Sequence, residues 1–173
     1  GNKTILSTAI LTVDGDFDNT LSSISIINNG SIEITGDLIG LDGTVSWTNA
    51  ENSHLHVAGA VLASGILDAS ASGNIVEYNG AAQTVKTPNS NQYYNVLFTG
   101  SGTKSLSGAI DVDGEILING SAVLDVTATD YGITLAGNWT DSSSTADAFL
   151  EQNGTVTFNG TSEQTISRSN GAT

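Results

Sequence analysis

Apolar residues recur at every second position through most of this chain. In "LTVDGDFDN", Val13, Gly15 and Phe17 share one side of an extended segment, and Asp14, Asp16 and Asp18 share the other. "SIEITGDLIG" groups Ile32, Ile34, Gly36 and Leu38, and "HLHVAGAVL" groups Leu55, Val57, Gly59 and Val61. "AIDVDGEILI" aligns Ile110, Val112, Gly114, Ile116 and Ile118; "GITLAGNWT" aligns Ile133, Leu135, Gly137 and Trp139. A period of two predicts strands with one buried side. Only "TADAFLEQ", Thr145–Gln152, leaves a helix in contention. Turns are expected at Asn29-Gly30, Asp42-Gly43, Asn79-Gly80, Asn119-Gly120, Asn153-Gly154 and Asn159-Gly160, where glycine supplies the backbone freedom that tight turns use.

These strands share the form apolar-x-Gly-x-apolar, which predicts a glycine at the middle inward position of a narrow core. Gly15, Gly36 and Gly59 follow one another at nearly equal spacing, and Gly114 and Gly137 repeat it. Such a spacing is one coil of a β-solenoid, each turn stacked parallel on the last. The fold expected is all-β, a parallel β-solenoid of about eight coils with about 20–23 residues each.

A longer repeat overlies the short one. "GNIVEYNGAAQTV" returns as "NGTVTFNGTSEQTI", with Asn159 in the place of Asn79. "GNKTILSTAILTVDGDF" likewise returns as "GTKSLSGAIDVDGEI". The organisation expected is a first long unit over 1–101 and a second, incomplete unit over 102–173, continuous with it. Each phrase closes a unit, with Tyr78 and Phe158, and Val85 and Ile166, as inward side chains.

The stretch "YYNVLFTGSGTKSLSGAIDVDGEILINGSAVLDV", followed by "ITLAGNWT" and "GTVTFNGTSEQTI", resembles repeats of very large secreted surface proteins of environmental bacteria. The likeness is good over Tyr93–Ile166 and looser over Gly1–Val85, where Gly59-Ala60-Val61 stands in place of Gly137-Asn138-Trp139. It implies a β-solenoid on or beyond the cell envelope, in adhesin-like or filament-like chains, and it brings no catalytic residues with it.

Composition narrows the function further. Four Lys+Arg against 18 Asp+Glu give a formal charge of −14. Nucleic acid is not expected as a partner, because phosphate binding needs clustered Lys and Arg. No apolar stretch is long enough to span a bilayer, so membrane insertion is not expected either. With no cysteine there is no disulfide framework and no thiol chemistry. The partners expected are other copies of the chain end to end, or the rest of a longer chain. Surface glycans are a further partner, through Tyr93 or Tyr94, one of which must point outward.

Two clusters suggest metal chemistry. Asp14, Asp16 and Asp18, echoed by Asp111, Asp113 and Glu115, place alternate carboxylates on one strand side about 7 Å apart, within reach of a shared Ca²⁺. The solvated outer side of a strand accounts for them equally, and is the preferred reading. "DGDFDN" starts like an EF-hand loop, but Asn19 and Ser25 stand where that loop needs glycine and glutamate. His54 and His56, with Glu51 before them, form a second set; ordinary outward polar residues are the preferred reading, and no metal is required. Enzymatic readings are weaker. The four basic residues, Lys3, Lys86, Lys104 and Arg168, are too scattered to neutralise an acidic sugar, and no apolar pocket accompanies the carboxylates. A non-catalytic extracellular structural module is the expectation, with a carbohydrate- or calcium-binding adhesin module as its alternative.

Overall fold

The computed structural model describes residues 2–20, 24–40 and 46–169. It is all-β, 49% strand, and its strands stack in parallel as a β-solenoid of about seven turns. Each turn carries three short faces, separated by bends except where Ile116–Asp125 runs as one strand through two of them. The longest ladder is the second face. It runs through Ile10–Val13, Ser31–Ile34, His54–Val57, Ile75–Tyr78, Asn95–Phe98, Ile116–Asp125, Trp139–Ser143 and Ile166–Arg168. These eight rungs enclose seven steps, which is why a division by length suggests one coil more. Register follows the glycine spacing. Ser31 pairs with His54, and Ile75 with Asn95, each partner lying one coil further along the chain. The final step, from Trp139 to Ile166, is the longest on this face.

The first face stacks Lys3–Ile5, Ile26–Asn28, Ser46–Asn49 and Ile66–Asp68, then Gln92–Tyr93, Ile110–Val112, Ile133–Leu135 and Val156–Phe158. An Ala69–Tyr93 bridge joins its two halves. The third face holds Phe17–Asp18, Leu38–Ile39, Gln83–Val85, Ser101–Leu106, the far half of Ile116–Asp125, and Phe149–Leu150. Thr145–Gln152 is a loop and this last short strand, with no helix.

Alternation reads through the bends. Val112 and Ile116 are both buried, as are Ile34 and Leu38, yet a bend separates the members of each pair. A bend of three residues keeps the inward parity, so a single strand and two strands around a corner look alike in sequence. The expected inward strand glycines are therefore corner glycines. Gly36 and Gly59 stack above Gly15 at the corner between second and third faces, their amides bonded to the glycine carbonyl below at 2.9 and 2.8 Å. Gly114 and Gly137 stack at a different corner, between first and second faces. A Cβ on Gly137 would lie 1.9 Å from the Gly114 carbonyl oxygen, so the close stacking of turns there excludes a side chain.

The core is one column of side chains along the axis, with Trp47, Tyr78, Tyr93, Phe98 and many Ile, Leu and Val residues fully buried. Trp139 packs edge-on against Phe149, their ring centres 4.8 Å apart. Both tryptophans are core residues, Trp139 as its phase implies; the Asp42-Gly43 turn lies outside the described residues.

Candidate functional site

Outward side chains of the second face stand in columns, one per rung, because parallel pairing in register places like positions above one another. One column reads Thr12, Glu33, His56, Glu77, Leu97, Leu117 and Thr140. The neighbouring column brings Ser31, His54 and Ile75 together. His54 and His56 therefore meet Glu77 from the next turn, rather than Glu51 from their own.

The geometry is tight. The imidazole rings stack with centres 3.6 Å apart and 25° between planes. His56 Nδ1 lies 2.8 Å from Glu77 Oε2, and His54 Nε2 lies 3.2 Å from the same oxygen. His54 Nε2 is buried and lacks the alignment of a hydrogen bond. The Thr99 hydroxyl, one further turn along, donates to Glu77 Oε1 at 2.6 Å and fixes the carboxylate plane. Burial pushes the Glu77 carboxyl up, but His54, His56 and Thr99 together outweigh it and hold the group far below the usual carboxylate range. Among the described residues, this is the one place where three histidine, aspartate or glutamate ligand atoms converge, all within 4.8 Å of one another.

Of the six acids proposed for calcium, Asp18 and Asp111 lie on strands and the other four at bends or beside them. Asp14 Oδ1 accepts from the Thr35 hydroxyl at 3.3 Å, and Asp16 Oδ1 accepts from the Asp37 amide at 2.8 Å. Asp18 accepts from the Thr20 amide and is held below its ordinary pKa by that residue. The bend at Gly15 puts Asp14 and Asp18 on either side of a corner, so they do not form one ladder. Asp113 accepts from Gln92 Nε2 at 2.6 Å, and Glu115 from the Thr140 hydroxyl at 2.8 Å. Partial burial and the neighbouring Asp113 carboxylate push the Asp111 carboxyl up.

Sequence reasoning missed the buried polar residues that tie turns together. Gln83, in the first copy of the repeated phrase, donates Nε2 to the carbonyls of Val57 and Gly59 at 2.9 and 2.6 Å. Its Oε1 accepts from the Gly80 amide at 2.9 Å. Gln164, in the second copy, donates to Leu135 and Gly137 at 2.9 and 2.8 Å and accepts from Gly160 at 2.9 Å. The same three bonds recur, locking an Asn-Gly turn onto the glycine corner of the turn below. The signal was present, since glutamine is a rare element shared by both phrases.

Lys104 is fully buried at an inward position of the third face. Its ammonium donates to Gly80 and Ala81 carbonyls, Gln83 Oε1 and the Ser101 carbonyl, at 2.7, 2.5, 2.8 and 3.2 Å. Burial pulls its pKa down to about 8. Tyr78 and Tyr93 share a hydroxyl contact of 2.8 Å inside the core, while Lys86 donates its amide to Tyr78 and accepts from Tyr93 through its carbonyl. Tyr94 is the half-buried member of the Tyr93-Tyr94 pair. Asn28 and Asn49, in register on the first face, bond to each other at 3.1 Å and satisfy backbone groups of later turns.

Compared with models of protein families, with curated proteins and with solved structures, the chain matches none.

Proposed function

We propose that this chain is a non-catalytic structural module of an extracellular surface, a filament subunit or adhesin stalk whose outer turns stack on further turns of the same kind, from other copies of itself or from the rest of a longer chain. The observation that carries the reading is the apolar column that runs through the stacked turns. The inward column Leu11, Ile32, Leu55, Val76, Val96, Ile116, Trp139, Ile166 is apolar throughout its length. Its terminal members alone are open: Leu11 is 39% and Ile166 68% exposed. Phe158 and Ile166 line an open apolar hollow at one end with Trp139, Phe149 and Val156, and Leu6 and Ile10 are exposed at the other. Among the described residues the outermost rungs of this column pair on one side only, which suits one more parallel turn of the same kind; where another copy supplies it, Ile166 of one would sit on Leu11 of the next. A parallel column ends in the Asp141–Arg168 pair, 3.3 Å apart, which leaves that part of the rim polar. The apolar seat is therefore narrow and directional.

Buried polar groups support the same reading. Gln83, Lys104, Asn28, Asn49, Tyr78 and Tyr93 all bond turn to turn, an arrangement suited to bearing load rather than to presenting reactive groups.

The test is sedimentation velocity and electron microscopy of the chain across concentrations, in calcium and in chelator. End-to-end multimers are expected, with an axial step of about 38 Å, from eight rungs at about 4.8 Å each. Ile166→Asp should return them to single rods. Separate rods at every concentration in both buffers would overturn self-assembly. A calcium-binding module is the second reading, favoured by the crowded Asp111 and Asp113 carboxylates; it requires the assembly or the melting temperature to fall in chelator.

A further inference from the structure

We propose that His54, His56 and Glu77 form a binding site for a divalent transition metal, with zinc as the ion it fits. Two imidazoles and a carboxylate are a borderline-soft donor set suited to Zn²⁺ and Cu²⁺; Ca²⁺ requires six to eight oxygens and is not served here.

Three features favour a cation at this spot. The donor atoms already lie within 4.8 Å of one another on two adjacent rungs, so little motion is needed to close around an ion. Glu77 is oriented by the Thr99 hydroxyl, which occupies Oε1 and leaves Oε2 toward both rings. Such an outer hydrogen bond is how metal-binding carboxylates are held in place. Lastly, His54 Nε2 is a buried nitrogen without a hydrogen-bond partner, 3.2 Å from a carboxylate oxygen. A cation seated between the two atoms would give that nitrogen the partner it lacks.

The surroundings agree. His54 and His56 are each about a quarter exposed, which leaves an open side for solvent to complete a tetrahedral shell. Glu33 is in register with His56 on the opposite rung and adds negative charge nearby. The net charge of −14 raises the local concentration of cations at the surface. Bound in this way, the ion would cross-link two turns from the outside, complementing the internal glutamine and lysine ties.

The experiment is calorimetric titration of the chelator-stripped chain with zinc chloride, with a melting curve for each point. One ion per chain and a higher melting temperature are expected. His56→Ala and Glu77→Gln should each weaken binding by at least about tenfold, while Asp111→Asn leaves it unchanged. All three positions face outward, and circular dichroism checks that each variant folds. Electron paramagnetic resonance of the wild-type chain with cupric chloride gives a readout independent of any variant, and coupling to two imidazole nitrogens is expected. Absence of uptake at millimolar zinc overturns the proposal. So does uptake that His54→Ala and His56→Ala together leave intact, which would assign the ion to the general acidic surface.

Discussion

The side chains that hold neighbouring turns in place are polar, buried or half-buried, and each serves several bonds. Gln83 and Gln164 are the clearest case, because the same three hydrogen bonds appear in two separate turns. Gln83 also receives Lys104, so its loss strands more groups. Gln83→Leu should cost about 2–4 kcal/mol in chemical denaturation, since buried acceptors left unpaired each cost about 1–3 kcal/mol; Gln164→Leu, in a more exposed turn, should cost clearly less. The buried titratable groups give the alkaline limb a distinctive shape. Lys104 titrates near 8 when folded and near its ordinary 10.5 when unfolded. The unfolded chain thus binds more protons above pH 8, and stability rises with pH there. Tyr78 is pushed up to about 12 by burial, and Tyr93 is raised as well. The folded chain then holds protons the unfolded chain has lost, so stability falls as pH climbs through 10. Melting curves between pH 7 and 12 should therefore pass through a maximum. Lys104→Met should remove the rise and Tyr78→Phe should soften the fall, whatever their effects at neutral pH.

At the scale of the strand and the corner, the spacing of glycines decides how closely turns can approach. Gly137→Ala places a methyl 1.9 Å from a backbone oxygen, an atom that cannot rotate away. The turns must separate locally, at about 1–3 kcal/mol, and the loss is measurable in urea. Gly15→Ala meets no neighbouring atom, though its φ of +106° still disfavours a side chain. The fold class, the coil length and most of the core were legible because alternation and a fixed spacing depend only on the chain. The corners were not, since Val112 and Ile116 keep one parity across a bend. The histidine cluster was half legible. His54 and His56 announce themselves by spacing, but Glu77 reaches them only through register, and Glu51 is nearer in sequence without being a partner. Lys104 reads as an ordinary turn lysine; nothing local marks a cation whose four acceptors come from two turns.

Across the whole molecule, the long repeat does not return to its starting side. Gln83 opens a strand of the third face, whereas Gln164 precedes a strand of the second, although both make the same bonds. Gly15 and Gly114, matched in sequence, likewise occupy successive corners rather than one. Both comparisons differ by one face, in the same sense. A sequence unit that falls short of whole turns by one face is a phase shift of about a third of a revolution. If such units follow one another, equivalent surface residues appear on three sides of the rod in rotation. A rod built in this way has no preferred side; whatever a unit displays is offered around its full circumference, and bending stiffness becomes nearly equal in every direction.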